Sequence, residues 1–116
     1  MSLNILVVED ESIVALDLEL KLKSIGCNIY KALSGEAALE LVNNEIDLIF
    51  MDIQLNGIDT AIQIRDNFNV PIIYLTGSHH PKIHEKIKQT KPYTFIKKPF
   101  DEVQLQEIIK NTLKCK

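Results

Sequence analysis

This sequence has no long apolar run, no excess of basic charge and almost no cysteine. No stretch approaches the roughly 18 apolar residues of a membrane-spanning helix. The chain opens Met1-Ser2-Leu3-Asn4 without a basic leader, and the apolar run that follows, Ile5 to Val8, is far shorter than the core of a secretory signal. A cytoplasmic location is therefore expected. Lys and Arg number 13 against 16 Asp and Glu, a formal net charge of −3. That leaves no basic stripe for a nucleic acid, so direct binding of one is not expected. The lysines that gather late in the chain (Lys82, Lys86, Lys88, Lys91, Lys97 and Lys98) read mostly as solvated helix and loop surface. The two cysteines, Cys27 and Cys115, lie far apart in no metal-like spacing and read as incidental thiols of a reducing compartment. Internal repeats, low-complexity tracts and linkers are absent as well.

What is present suits one compact domain over residues 1–116, with 46% hydrophobic and 25% charged residues to build a core and a surface. Short apolar runs alternate with longer amphipathic stretches. The runs are Ile5 to Val8, Asn28 to Ala32, Leu48 to Met51, Ile72 to Leu75 and Thr94 to Ile96. The first, third and fourth are apolar without alternation, as strands buried on both faces of a parallel sheet are. Between them, Ile13, Leu16 and Leu20 share one helical face, widened by Leu18, Leu22 and Ile25, and Gly26 stands where a helix C-cap is wanted. Ser34 can cap a helix over Gly35 to Asn44, and Asp59 one over Thr60 to Asn67. Pro81 to Thr90 forms a weaker helix. Asp101 caps the last, where Leu105, Ile108, Ile109, Thr112 and Leu113 fall at helical spacing. Five strands alternating with five helices imply an α/β doubly wound, flavodoxin-like fold: a five-stranded parallel sheet of order 2-1-3-4-5.

In such sheets ligands bind at the carboxyl ends of the strands, near the switch in strand order. Glu9, Asp10 and Glu11 follow the first strand, Asp52 the third, Thr76, Gly77 and Ser78 the fourth, and Lys97, Lys98 and Pro99 the fifth. Converging carboxylates repel, and a hard divalent cation such as Mg²⁺ relieves the repulsion through oxygen ligands. A strand-end Asp beside such a metal is a plausible nucleophile for an aspartyl phosphate. A lysine and a small hydroxyl supply partners for phosphoryl oxygens.

Ile5-Leu6-Val7-Val8-Glu9-Asp10-Glu11, Phe50-Met51-Asp52, Tyr74-Leu75-Thr76-Gly77 and Phe95-Ile96-Lys97-Lys98-Pro99-Phe100 together resemble the signature of two-component response-regulator receiver domains, over the whole chain and in order. The resemblance implies a chemotaxis-regulator-like fold and Mg²⁺-dependent phosphoryl transfer to Asp52. The donor it implies is a sensor histidine kinase or a histidine phosphotransfer domain. It makes Asp10 a direct metal ligand, Glu9 an acid reaching the metal directly or through water, and the backbone carbonyl of Gln54 a third protein ligand. Thr76 matches the switch hydroxyl and Lys98 the lysine that pairs with the phosphoryl group; Lys97 matches neither. Phe95 matches the aromatic switch position, and Gly77 a small residue that keeps the phosphoryl group accessible. A cis Lys98–Pro99 bond is implied too. So is a downstream protein target on the surface of the Pro81–Thr90 helix, the fifth strand and the last helix, together with a phosphorylation-dependent homodimer. The chain would be a phosphoacceptor switch rather than an enzyme, with self-phosphorylation from small phosphodonors and autodephosphorylation expected.

The chain departs from the family pattern in three places. Glu9 stands where Asp is also common. Asn56 and Thr60 replace a proline and a glycine often found after the phosphoacceptor, and Phe95 lacks the hydroxyl of a tyrosine. Blander readings exist: Asp52 as a turn former, Glu9 and Asp10 as helix-capping acids, Thr76 as a turn residue, Phe95 as core packing. Glu11 or Ser12 could cap the first helix instead of Glu9 and Asp10. His79, His80 and His84 have no cysteine or acid partners and read as solvated. A dehalogenase-type phosphatase would need an acid at position 54, where Gln54 stands. A flavin carrier would need a hydroxyl- and glycine-rich loop after the first strand, where Glu9-Asp10-Glu11 would repel a phosphate. A degenerate receiver serving as a constitutive interaction module is the remaining alternative. Both a stand-alone regulator and a receiver cut from a longer protein fit the sequence.

Overall fold

The computed structural model describes residues 3–53, 57–76, 94–97 and 100–114. Five strands, β1 (Asn4–Val8), β2 (Asn28–Ala32), β3 (Leu48–Asp52), β4 (Ile72–Thr76) and β5 (Thr94–Lys97), form one parallel sheet. Their order is β2-β1-β3-β4-β5, as the sequence pattern implies. The described helices are α1 (Ser12–Ser24), α2 (Gly35–Leu41), α3 (Gly57–Arg65) and α4 (Glu102–Lys114). The stretch read as a further helix, Pro81 to Thr90, lies outside the described residues. Among the described residues, no helix is long and apolar enough to cross a membrane.

The central strands are buried on both faces because their side chains alternate between two cores. Ile5, Val7, Phe50, Ile73, Leu75 and Ile96 pack with Leu18 and Leu22 of α1 and Leu105 and Ile109 of α4. Leu6, Val8, Ile49, Met51, Ile72 and Tyr74 pack on the opposite face with Ala38 of α2 and Ala61 and Ile64 of α3. β2 and β5 are the edge strands, and in β2 only Ala32 is fully buried.

α1 turns a different face inward from the one its sequence suggests. Ile13, Leu16 and Leu20 lie outside, with Ile13 81% and Leu20 58% exposed, while Ala15, Leu18 and Leu22 are buried. Residues 13, 14, 15, 16, 18, 20 and 22 are all apolar, so several stripes satisfy helical spacing. Contact with the sheet selects among them.

The helix ends follow local chemistry. At the end of α1, Gly26 takes φ +100, a left-handed conformation that glycine adopts without a Cβ clash. Its N–H donates to the Lys23 carbonyl (3.0 Å), and that of Cys27 to the Leu22 carbonyl (3.2 Å), a Schellman motif. Cys27 is a buried free thiol, and burial pushes its pKa up, which keeps it unreactive. Ser34 caps α2 by accepting from the Ala37 N–H at 3.1 Å. α2 ends at Leu41, short of Asn44, because Val42 turns to an extended conformation. α3 starts earlier than expected, so Asp59 is no cap; it lies in the first turn, where the helix dipole favours an acid. Asp101 and Gln104 form a reciprocal capping box, at 2.8 Å and 3.0 Å, ahead of α4.

α2 and α3 meet closely at Gly35. A Cβ there would stand 2.3 Å from Thr60 Oγ1. Gly35→Ala should therefore destabilise the fold by about 1–3 kcal/mol, the usual cost of overpacking. Thr60→Ala in the same chain should recover most of the loss. Urea midpoints of the two variants and the double variant check this; no recovery would show that the contact is not the cause.

Candidate functional site

The carboxyl ends of the strands form one edge of the sheet. In the β1–β3 register Val8 lies beside Met51, so Glu9 and Asp52, each one residue further on, stand side by side. Both continue hydrogen-bonded backbone: the Glu9 N–H donates to the Ala32 carbonyl (3.1 Å), and the Ile53 N–H, just past Asp52, to the Leu75 carbonyl (3.1 Å). These acids are thus held by the sheet rather than by loose loops.

Glu9 is fully buried and Asp52 is 3% exposed, while Asp10 is open to solvent. Each offers a carboxylate oxygen, and these atoms lie within 4.8 Å of one another. One Glu9 oxygen, Oε1, accepts from the Glu11 N–H at 3.2 Å. Glu11 is the N-cap residue of α1 but makes no side-chain cap bond, so the capping expected of its side chain is not seen. Two full charges at such a distance repel by roughly 3–4 kcal/mol at an effective dielectric of about 20. The donor set is all oxygen and anionic, which fits a hard divalent cation such as Mg²⁺.

Next to this cluster, β4 places Leu75 opposite Asp52 and ends on the half-buried Thr76. Thr76 is in turn paired with Lys97, which is exposed, as expected of a surface lysine. Phe95 is not core packing: it is 41% exposed. Its ring stacks on that of Tyr74, with centroids 5.7 Å apart and planes at 22°. Tyr74 is fully buried and lies directly opposite Phe95 in the β4–β5 register. The sequence reading did not single out Tyr74; only the register reveals it. Gln54, Gly77, Lys98 and Pro99, with the bond between the last two, lie outside the described residues, as do His79, His80 and His84.

The sequence profile of the response regulator receiver domain matches residues 5–110. An uncharacterized transcriptional regulatory protein of Bacillus subtilis, YrkP, is 35% identical over 108 residues, covering 90% of this chain and 47% of YrkP. The transcriptional regulatory protein CpxR of Escherichia coli is 31% identical over 113 residues, covering 95% and 49%. The chain therefore spans about half the length of these curated relatives. Among solved structures, the N-terminal domain of a three-domain response regulator/sensory box/GGDEF protein of Carboxydothermus hydrogenoformans superposes with a TM-score of 0.89. It is 34% identical, over 97% of this chain and 94% of that one. The receiver domain of the sensor histidine kinase PA1611 of Pseudomonas aeruginosa, which holds a magnesium ion in its active-site cleft, has a TM-score of 0.88. It is 28% identical, over 98% and 99%. With the sheet order, the strand-end acids and the profile in agreement, this chain belongs to the response regulator receiver domains.

Proposed function

We propose that residues 1–116 form one receiver domain that accepts a phosphoryl group on Asp52 from a phosphohistidine and passes the change to the surface around β5. The observation that carries this reading is the convergence of Glu9, Asp10 and Asp52, with the last almost buried at the end of a central strand. Receiver domains are signalling switch modules of two-component systems, and they bind Mg²⁺ in an acidic pocket. Held by Glu9, Asp10, Asp52 and the Gln54 carbonyl, Mg²⁺ would offset the carboxylate repulsion and attract phosphoryl oxygens.

In the transfer, an Asp52 carboxylate oxygen attacks the phosphorus of the phosphohistidine. The new P–O bond forms as the P–N bond breaks, and the imidazole leaves after taking up a proton. The Thr76 hydroxyl then donates to one phosphoryl oxygen and the Lys98 ammonium pairs with another. The exposed stripe of Ile13, Leu16 and Leu20 begins just after Glu11, so it offers apolar contact to a histidine-bearing partner reaching the acidic edge. Movement of Thr76 toward the phosphoryl group leaves space that Phe95 can enter from its stack on Tyr74. A downstream protein, or a second copy, docked on the surface of β5 and α4 would read that change. It would by linkage favour phosphorylation in return.

Three outcomes are expected. Asp10→Asn should weaken Mg²⁺ binding at least about tenfold, since losing a direct ligand costs no less than losing a supporting one; His80→Ala should leave it unchanged. Titration calorimetry decides, and equal affinity in wild type and Asp10→Asn would remove Asp10 from the site. Acetyl phosphate with Mg²⁺ should raise the intact mass by one phosphoryl group in wild type and not in Asp52→Asn. A wild type that never gains the group would instead be a constitutive interaction module. Thr76→Ala should still accept the group but lose most of the response of the β5 amides to beryllofluoride, a phosphoryl mimic, in NMR spectra. Equal responses would show that Thr76 does not drive the switch.

A further inference from the structure

On the α2–α3 face of the sheet, a cleft of about 370 Å³ opens between the two helices. Glu36 and Leu39 line it from α2, and Asp59, Thr60 and Gln63 from α3. It shares no residue with the Glu9–Asp10–Asp52 cluster. Ser34 also lines the cleft, but its hydroxyl is committed to the cap of α2.

Thr60 is one of this chain's departures from the receiver pattern, and it is 5% exposed. A buried helical threonine ordinarily satisfies its hydroxyl on the preceding turn. Thr112 does so, with its Oγ1 donating to the Ile108 carbonyl at 2.6 Å. The Thr60 side chain makes no hydrogen bond among the described residues. Gly35 leaves this hydroxyl uncovered: a Cβ there would stand 2.3 Å from Thr60 Oγ1. A donor and acceptor almost removed from water therefore faces the cleft without a partner.

Charge narrows what could supply that partner. Glu36 and Asp59 lie in the first turns of their helices, where each macrodipole adds about half a positive charge. Two carboxylates outweigh that, and among the described residues no basic side chain lines the cleft and neither acid forms an ion pair. Gln63 stands one turn beyond Asp59 and Thr60 on the same helix face. Leu39, half-buried, supplies an apolar wall.

We propose that this cleft is a binding site for a small organic cation, an ammonium or guanidinium group on a short alkyl stem. The cation donates to the Thr60 hydroxyl and to the Glu36 and Asp59 carboxylates, and the stem lies on Leu39. An anion would meet two uncompensated carboxylates, and a purely apolar ligand would leave the hydroxyl unpaired. The volume is at the lower end of the range for small-molecule sites, which suits a ligand of this size. The site stands independently of the phosphoacceptor assignment.

The test is a titration of the isotope-labelled full chain with n-butylammonium, read by amide shifts in NMR spectra. 1-Butanol and butyrate serve as its neutral and anionic counterparts. The cation should shift the amides of residues 34–39 and 59–63 saturably, with a Kd of roughly 1–10 mM, as expected of a probe of so few atoms. Butanol should bind at least about threefold more weakly, and butyrate should shift none of these amides. Glu36→Gln and Asp59→Asn should each weaken the cation about threefold, the effect of losing an exposed ion pair. Thr60→Ala should weaken it about fivefold, and Thr60→Ser should recover most of the loss because the hydroxyl returns. Shifts confined to the amides around Glu9, Asp10 and Asp52 would put the cation on the acidic edge and overturn the proposal. Equal affinity for butanol, unchanged affinity in Thr60→Ala, or no saturation by about 100 mM overturns it too. Should Thr60→Ala lose its far-UV signature, the Glu36 and Asp59 variants decide, since both side chains are exposed and outside the core.

Discussion

Two carboxylates nearly removed from water, side by side at the ends of adjacent strands, are the constraint on which the rest depends. Glu9 and Asp52 are brought together by the β1–β3 register, and Asp10 completes the cluster from the solvent side. Such a grouping is costly, because desolvation and repulsion add. The sheet can hold it because β1, β3 and β4 are locked into cores on both faces. A one-residue slip of β3 against β1 would exchange the two cores' side chains and separate the acids at once. Packing and chemistry are therefore enforced by the same register, and stability of the central strands is stability of the site.

α1 divides its surface among separate tasks. Ala15, Leu18 and Leu22 bury against the sheet, while Ile13, Leu16 and Leu20 remain exposed. Its last turns turn polar groups toward the β5–α4 connection, through Lys21 and Ser24. A second ionic set, Glu19 with Lys23 and Lys31, ties the helix to β2. The hydrogen bonds to Lys31 and then Lys23 hold the Glu19 carboxyl below its ordinary pKa. Above the unfolded carboxylate range this pairing stabilises the fold, and it fades as the pH falls through the lowered value. Its contribution is small, as exposed ion pairs are. The helix that carries the apolar stripe is thus tied to β2 on one flank and to the start of α4 on the other.

Strand order and the acidic edge were legible because they rest on patterns that sequence displays directly. Buried parallel strands appear as unbroken apolar runs, and the residue after each run falls at the binding edge. The caps at Ser34 and Asp101 and the glycine at Gly26 were legible for the same reason: each acts over three residues or fewer. The inward face of α1 was not, since its apolar residues allow several stripes and only the sheet chooses. The start of α3 was misplaced because Asp59 suits a cap and a first-turn position alike. The stack of Tyr74 on Phe95, and the close approach of Thr60 to Gly35, depend on neighbours distant in sequence. No local pattern announces such pairs.

The Tyr74–Phe95 stack also bears on how strongly the proposed switch is biased. An aromatic pair contributes about 0.5–1.5 kcal/mol beyond its burial. Phe95 has no hydroxyl to anchor it outside, and its ring is only partly covered. Its outward position is therefore held weakly. A phosphoryl group gains through charge-assisted bonds, each worth about 1.5–3 kcal/mol net. Thr76 and Lys98 together could supply two of them. Moving a two-state equilibrium from 1:99 to 99:1 takes about 5.5 kcal/mol. Two such bonds approach that figure only if the outward state is not otherwise secured. A tyrosine at position 95, bonded through its hydroxyl, would raise the demand; phenylalanine on a single stack keeps it within what one phosphorylation can provide.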